Sequence, residues 1–192
     1  MEVLVVGLLI FLGVHSLRML APEWRSKMLL EWGETPWKAA YAALSLLGFV
    51  LICWGFGLAR QQAVLLWVPP VATRHMAVLL MLASWILLTA AYVPGNSIKA
   101  RLHHPMLLGV KLWAMAHLLA NGNLAHLLLF GSFLVWGVVC FISARRRDRV
   151  AATVYPAGRM VPTIVTVAVG LLIWAGFAMR LHRMLIGVPV FG

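Results

Sequence analysis

The sequence predicts an all-α, polytopic transmembrane helical bundle of about six spanning helices, forming a single domain over residues 1–192. Three observations predict this. Charged residues make up 11% of the chain and hydrophobic residues 63%, whereas a soluble domain carries roughly a quarter charged residues. The apolar residues fall in runs near the ~20 residues that cross a bilayer core. The basic residues, which bring the net charge to +11, collect mainly in the gaps between those runs.

In chain order the runs are Val3 to Leu20, Trp37 to Leu58, His75 to Val93, Leu102 to Ala120, Leu124 to Ser143 and Met160 to Leu181. Each is expected to be one helix. The stretch Gln61 to Val71 is apolar but short and contains Pro69 and Pro70, so it reads as an interfacial loop. Trp24, Trp32, Trp37 and Trp67 fall at the ends of runs, where an indole keeps its ring in hydrocarbon and its N–H in water. The first run lacks a basic segment before it and a small-residue cleavage site after it, so it reads as a retained helix rather than a secretory signal. Cys53 and Cys140 each lie inside a run and suggest two small packing residues, with no disulfide framework.

The basic residues give an orientation. With six spans, the loops after the first, third and fifth share one side and hold Arg25, Lys27, Lys38, Lys99, Arg101, Arg145, Arg146, Arg147, Arg149 and Arg159. The other side holds Arg60, Arg74, Arg180 and Arg183. An excess of Lys and Arg marks the cytoplasmic face, which places both termini outside the cytoplasm. The same residues attract anionic lipid. The run Arg145 to Arg149 lacks the interleaved aromatics and basic fold of a nucleic-acid site, so no nucleic acid is expected as a partner.

Polar groups within the spans carry the functional information, because hydrocarbon makes them costly and turns them toward the protein interior. They are His15 with Arg18, Lys111, His117, Asn121 and His126. Residues three or four apart share a helix face; His15 and Arg18 therefore share one face, and Trp113, His117 and Asn121 another. At ~1.5 Å per residue, His15 lies about 18 Å into its helix and His117 about 22 Å into its own.

Three chemistries compete for such imidazoles. Each histidine can hydrogen-bond a group on a neighbouring helix. A proton relay would favour intramembrane carboxylates, but the five acids, Glu2, Glu23, Glu31, Glu34 and Asp148, all lie outside the apolar runs or at their ends. A metal or haem accepts neutral imidazole inside a helical bundle. Two histidines on two helices suit a bis-His haem better than a zinc or di-iron cage, with Arg18 one turn from His15 as partner for a propionate.

Three segments, "FLGVHSLRML", "RLHHPMLLGVKLWAMAHLLANG" and "RLHRMLIGVPVFG", resemble the NnrU family of bacterial membrane proteins, which is related to plant 15-cis-zeta-carotene isomerase. The resemblance covers nearly the whole chain. It implies a haem b protein; in the isomerase branch a redox-dependent change of histidine ligation rotates a carotenoid double bond. The matching axial ligands are His15 and His117, giving bis-His haem b. His104, in the "HP" step, is an alternative ligand or an interfacial histidine. Asn121 orients a ligand or caps the turn after the fourth run. His75, His103 and His182 lie at span ends and are expected to face headgroups, and His126 to be interfacial. The bacterial branch is linked with denitrification, in support of nitric oxide reductase and nitrite reductase. The implied partners are haem, membrane lipid, nitric oxide or a polyene such as a carotenoid, and a reductase complex.

Two other function classes stand beside this one. The segment "HHPMLLG" is distantly similar to the "RHPxYxG" step of membrane methyltransferases that use S-adenosylmethionine, with His103 in place of the arginine and Leu107 in place of the tyrosine. A non-catalytic assembly factor requires no site at all, since a helical bundle does not by itself imply catalysis.

Overall fold

The computed structural model describes residues 1–191, and every regular element among them is a helix. In chain order these are α1 (Glu2–Leu20), α2 (Pro22–Trp32), α3 (Glu34–Gln61), α4 (Val71–Tyr92), α5 (Ser97–Leu102), α6 (Pro105–Ala120), α7 (Leu124–Val150), α8 (Met160–Gly176), a π-helical turn (Phe177–Leu181) and α9 (His182–Ile186). Five stretches, α1, α3, α4, α7 and the run from Met160 to Ile186, are long and apolar enough to cross a membrane. The chain is an all-α, multi-pass membrane protein.

Several boundaries differ from those the sequence suggests. The expected fourth span, Leu102 to Ala120, shortens to α6, whose 16 residues reach only ~24 Å at 1.5 Å per residue. It starts at Pro105 because proline suits the first helical position and excludes the helical conformation from the residue before it. His103, at φ 67°, ends α5. The fifth span continues past Ser143 to Val150, so the arginine run lies on helix rather than in a loop. Arginine is a good helix former, and hydropathy reports where hydrocarbon ends rather than where a helix does. Residues 22–32, expected as a connection, form α2 with Pro22 at its start.

The contacts divide the chain into two compact units, one of residues 1–68 with 122–136, the other of residues 69–121 with the chain from Gly137 onward. In the first unit α1 lies antiparallel along α3, matching Leu4 to Gly55, Gly7 to Ile52 and Phe11 to Gly48. At Gly7 an added Cβ would fall 2.6 Å from the Ile52 nitrogen, and at Gly55 it would collide with the Leu4 backbone. Close backbone approach through small residues is how helices associate where lipid removes the hydrophobic drive. The apolar loop 62–70 is pinned by Leu66 and Trp67 N–H donating to the Gly122 carbonyl and by Leu124 N–H donating to that of Val64.

The second unit is built on α4, which packs against α6 and α8. Ser84, fully buried, donates to the Gly109 carbonyl at 2.8 Å, and Gly170 meets the Ile86 backbone. Asn96, 1% exposed, joins two helix ends: its Nδ2 donates to the carbonyls of Ala90 and Val93, and its Oδ1 accepts from Lys99 N–H. In the second unit the buried apolar residues are alanines, whereas in the first Leu4, Leu8, Trp37, Ile52, Leu129 and Phe130 are buried beside Ala59 and Ala125; Leu9, Leu46, Leu79 and Leu172 face outward. The second unit, with small residues inside and large aliphatic ones outside, has the order expected of helices solvated by lipid.

Candidate functional site

The first unit contains a cavity of about 640 Å³ lined by His15, Arg18, Arg25, Lys38, Trp37 and Tyr41, among others. Helical spacing puts His15 and Arg18 on it together. The shelf of α2 brings Arg25, and the first turns of α3 bring Lys38 and Tyr41. His15 donates from Nδ1 to the Phe11 carbonyl at 2.7 Å. A carbonyl can only accept, so Nδ1 carries a proton, and it is the neutral ring that presents a lone pair at Nε2. The ring stacks on Phe11 at 4.2 Å and lies near Tyr41 and Trp136. Arg18, Arg25 and Lys38 outnumber Glu34, which Lys38 bridges at 2.7 Å, so the cavity favours an anion.

The second unit contains a cavity of about 360 Å³ lined by His117, Asn121, His182, Arg74, Trp85 and Trp174, with other residues. His117 donates from Nδ1 to the Trp113 carbonyl at 2.8 Å, so its tautomer is that of His15. Asn121 Nδ2 donates to the carbonyl of His117, satisfying a last-turn acceptor of α6 that the helix leaves open. His182 was expected at the headgroups. It is half-buried, with its ring 6.4 Å from that of His117, a contact the sequence did not suggest. Nothing in the sequence marks the π-helical turn that sets its register.

A third polar cluster, also in the second unit, surrounds His104. Its Nε2 donates to Asp148 Oδ2 at 2.7 Å, and Tyr155 O–H donates to the same oxygen at 2.9 Å. The Tyr155 ring stacks on His103 at 4.0 Å and 5°, and Arg145 meets His103 Nδ1. The Nε2 of His104 is thus committed to a carboxylate, and His104 lines neither cavity. Asp148 follows the apolar run and so lies outside the expected span, yet the extension of α7 carries it to His104. Lys111 sits 4.1 Å over the Phe141 ring. In the first unit, His126, in the first turn of α7, lies between Phe56 and Phe130, with Nδ1 buried and lacking a hydrogen-bond partner among the described residues.

The sequence profile of the family described as NnrU protein matches residues 3–190. The chain belongs to the NnrU family. No curated protein and no solved structure matches it. The family match spans both cavities, including His15 in the first and His117 in the second. It also spans His182, so all three cavity histidines belong to the matched NnrU region.

The donor chemistry of the NnrU cavities can be tested against haem. No group of three or more His, Cys, Asp or Glu side chains that could hold a bare metal ion occurs among the described residues. A macrocycle supplies four nitrogens of its own and asks the protein for one or two axial imidazoles. His15 in the first cavity and His117 in the second, each with Nδ1 held by a backbone carbonyl, are imidazoles of the kind that demand asks for. Cationic Arg18 and Arg74 on the respective cavities suit carboxylate groups.

Proposed function

We propose that this NnrU-family protein binds haem b in the bacterial inner membrane through intramembrane imidazole, with both termini on the periplasmic side. His117 is the principal ligand, and His15 is the other imidazole that the family resemblance implies. The observation carrying this reading is the pair of Nδ1–H donations to backbone carbonyls, from His15 to Phe11 and from His117 to Trp113. An imidazole so held has its tautomer and ring orientation fixed before metal arrives, which is the usual second-shell support of a ligating histidine. Arg18 and Asn121 support the site, the first through charge and the second by fastening the His117 turn.

The physiological reading follows from the resemblance: support of denitrification through a nitric oxide or nitrite reductase, or redox-dependent isomerisation of a polyene. A bound haem supplies an iron whose ligation and oxidation state can change; the protein sets the imidazoles, the charge beside them and the exclusion of water. The test is spectroscopic. Detergent-purified protein should show a Soret band, His117→Ala should lose most of it while keeping its helical circular dichroism, and full haem retention in that variant would refute His117 as a ligand.

A further inference from the structure

The second cavity is lined by His182 as well as His117. His182 follows directly on the π-helical turn Phe177–Leu181. A π turn inserts a residue into an α-helix and rotates all that follows, and such turns concentrate at functional sites. After α9, Gly187 adopts φ 80° and ψ 4°, a left-handed conformation natural to glycine. The chain beyond it then presents the Val188 carbonyl to His182, whose Nδ1 donates to it at 2.7 Å. Backbone irregularities on both sides of His182 therefore converge on one result, an imidazole fixed with Nε2 basic.

His117 carries the same tautomer in the same cavity, and the two ring centroids are 6.4 Å apart with planes inclined by 32°. Two imidazoles trans on one metal, at about 2 Å from metal to nitrogen, place their ring centroids roughly 6.3 Å apart, whereas a tetrahedral angle brings them to roughly 5 Å. The observed centroid spacing matches the trans value rather than the tetrahedral one. Such a pair is too few donors for a bare tetrahedral ion but completes an iron already held in a plane by four macrocycle nitrogens. Trp85, Trp174 and Phe177 give the cavity flat apolar walls, and Arg74 gives it a cation for a carboxylate.

We infer that His182 is the second axial imidazole of the haem iron bound by His117. The inference rests on the haem reading above and assigns to His182 the position that the resemblance gives to His15. On this assignment His15 and its cationic cavity are not needed to complete the iron.

The experiment is absorption and electron paramagnetic resonance spectroscopy of full-length protein loaded with hemin, in wild type and in His182→Ala, His117→Ala and His15→Ala. Wild type should be low-spin. His182→Ala should become high-spin at the same protein fold, and added imidazole should restore the low-spin spectrum. His15→Ala should stay low-spin, and hemin affinity in His117→Ala should fall by more than the roughly tenfold to hundredfold that loss of a supporting contact costs. A low-spin spectrum unchanged in His182→Ala, with His15→Ala turned high-spin, overturns the assignment to His182 and leaves the haem reading standing. A wild-type protein that takes up no hemin overturns both. Because imidazole rescue requires a folded cavity, a misfolded His182 variant is recognised by its failure to respond, and His182→Gly with imidazole then decides the assignment by whether the low-spin spectrum appears.

Discussion

His104 and Asp148 form a hydrogen-bonded pair at 2.7 Å, joining the start of α6 to the end of α7 across 44 residues of sequence. Tyr155, in the segment after α7, donates to the same carboxylate oxygen and lays its ring on His103. The cluster ties three chain segments together within one unit, and neither imidazole in it faces a described cavity. It is structural on this account. His104→Ala should lower the melting temperature in detergent and leave the haem spectrum unchanged; a shifted Soret band would mean that His104 ligates.

Tyr155 gives that cluster a pH dependence. Burial, followed by the hydrogen bond to Asp148 and the charge of that carboxylate, pushes its phenol above the ordinary value. The folded state thus favours the neutral phenol. Its contribution to stability is whole below the ordinary phenol value near 10 and is lost as pH rises through the raised one. Tyr155→Phe should cost about 1 kcal/mol or less near neutrality, because the pair is within reach of water. The variant should also flatten the loss of stability above pH ~10, as read from melting temperature against pH; an unchanged alkaline slope would contradict this.

Gly55 should tolerate no side chain. Its missing Cβ is where the Leu4 backbone lies, so Gly55→Leu must part α1 from α3. Overpacking of this kind costs about 1–3 kcal/mol, and thermal melting of purified protein should show it. Gly57, where an added Cβ meets nothing within 4 Å, is the control and should accept alanine with little effect.

Asn96→Ala should be among the more damaging single substitutions in the second unit. It removes two donors and an acceptor that join the end of α4 to the start of α5, at a position 1% exposed. Leaving the Ala90 and Val93 carbonyls and the Lys99 N–H without this partner should cost roughly 2–3 kcal/mol. Denaturant titration of the second-unit tryptophans Trp85 and Trp174 would measure it, and a loss under half a kcal/mol would refute the bracing role.

The sequence was most legible where hydrocarbon dictates the pattern. Run length and basic gaps located every long helix, because a bilayer admits few alternatives to a helix of sufficient length. They placed ends poorly. Arg145 to Arg149 remain helical outside the apolar run, and Pro105 moves the start of α6 inward from Leu102. The intramembrane polar residues pointed to His15 and His117, since both stand out against apolar neighbours. His182 did not stand out, because its placement depends on a π turn and a left-handed glycine, backbone events without a hydropathy signature. Asp148 was discounted for lying beyond the apolar run, although the helix that carries it does not stop there. The glycines at 48 and 55 are spaced for one helix face, but only the antiparallel match to Leu4 and Phe11 shows what they admit.

The central claim is that intramembrane imidazole in this NnrU-family chain holds haem. The most direct measurement is the absorption spectrum of the detergent-purified protein, oxidised and then reduced with dithionite. A Soret band with sharp α and β bands on reduction is the result this account predicts, and it marks a low-spin haem b with imidazole ligation. A colourless protein that also takes up no added hemin would contradict it.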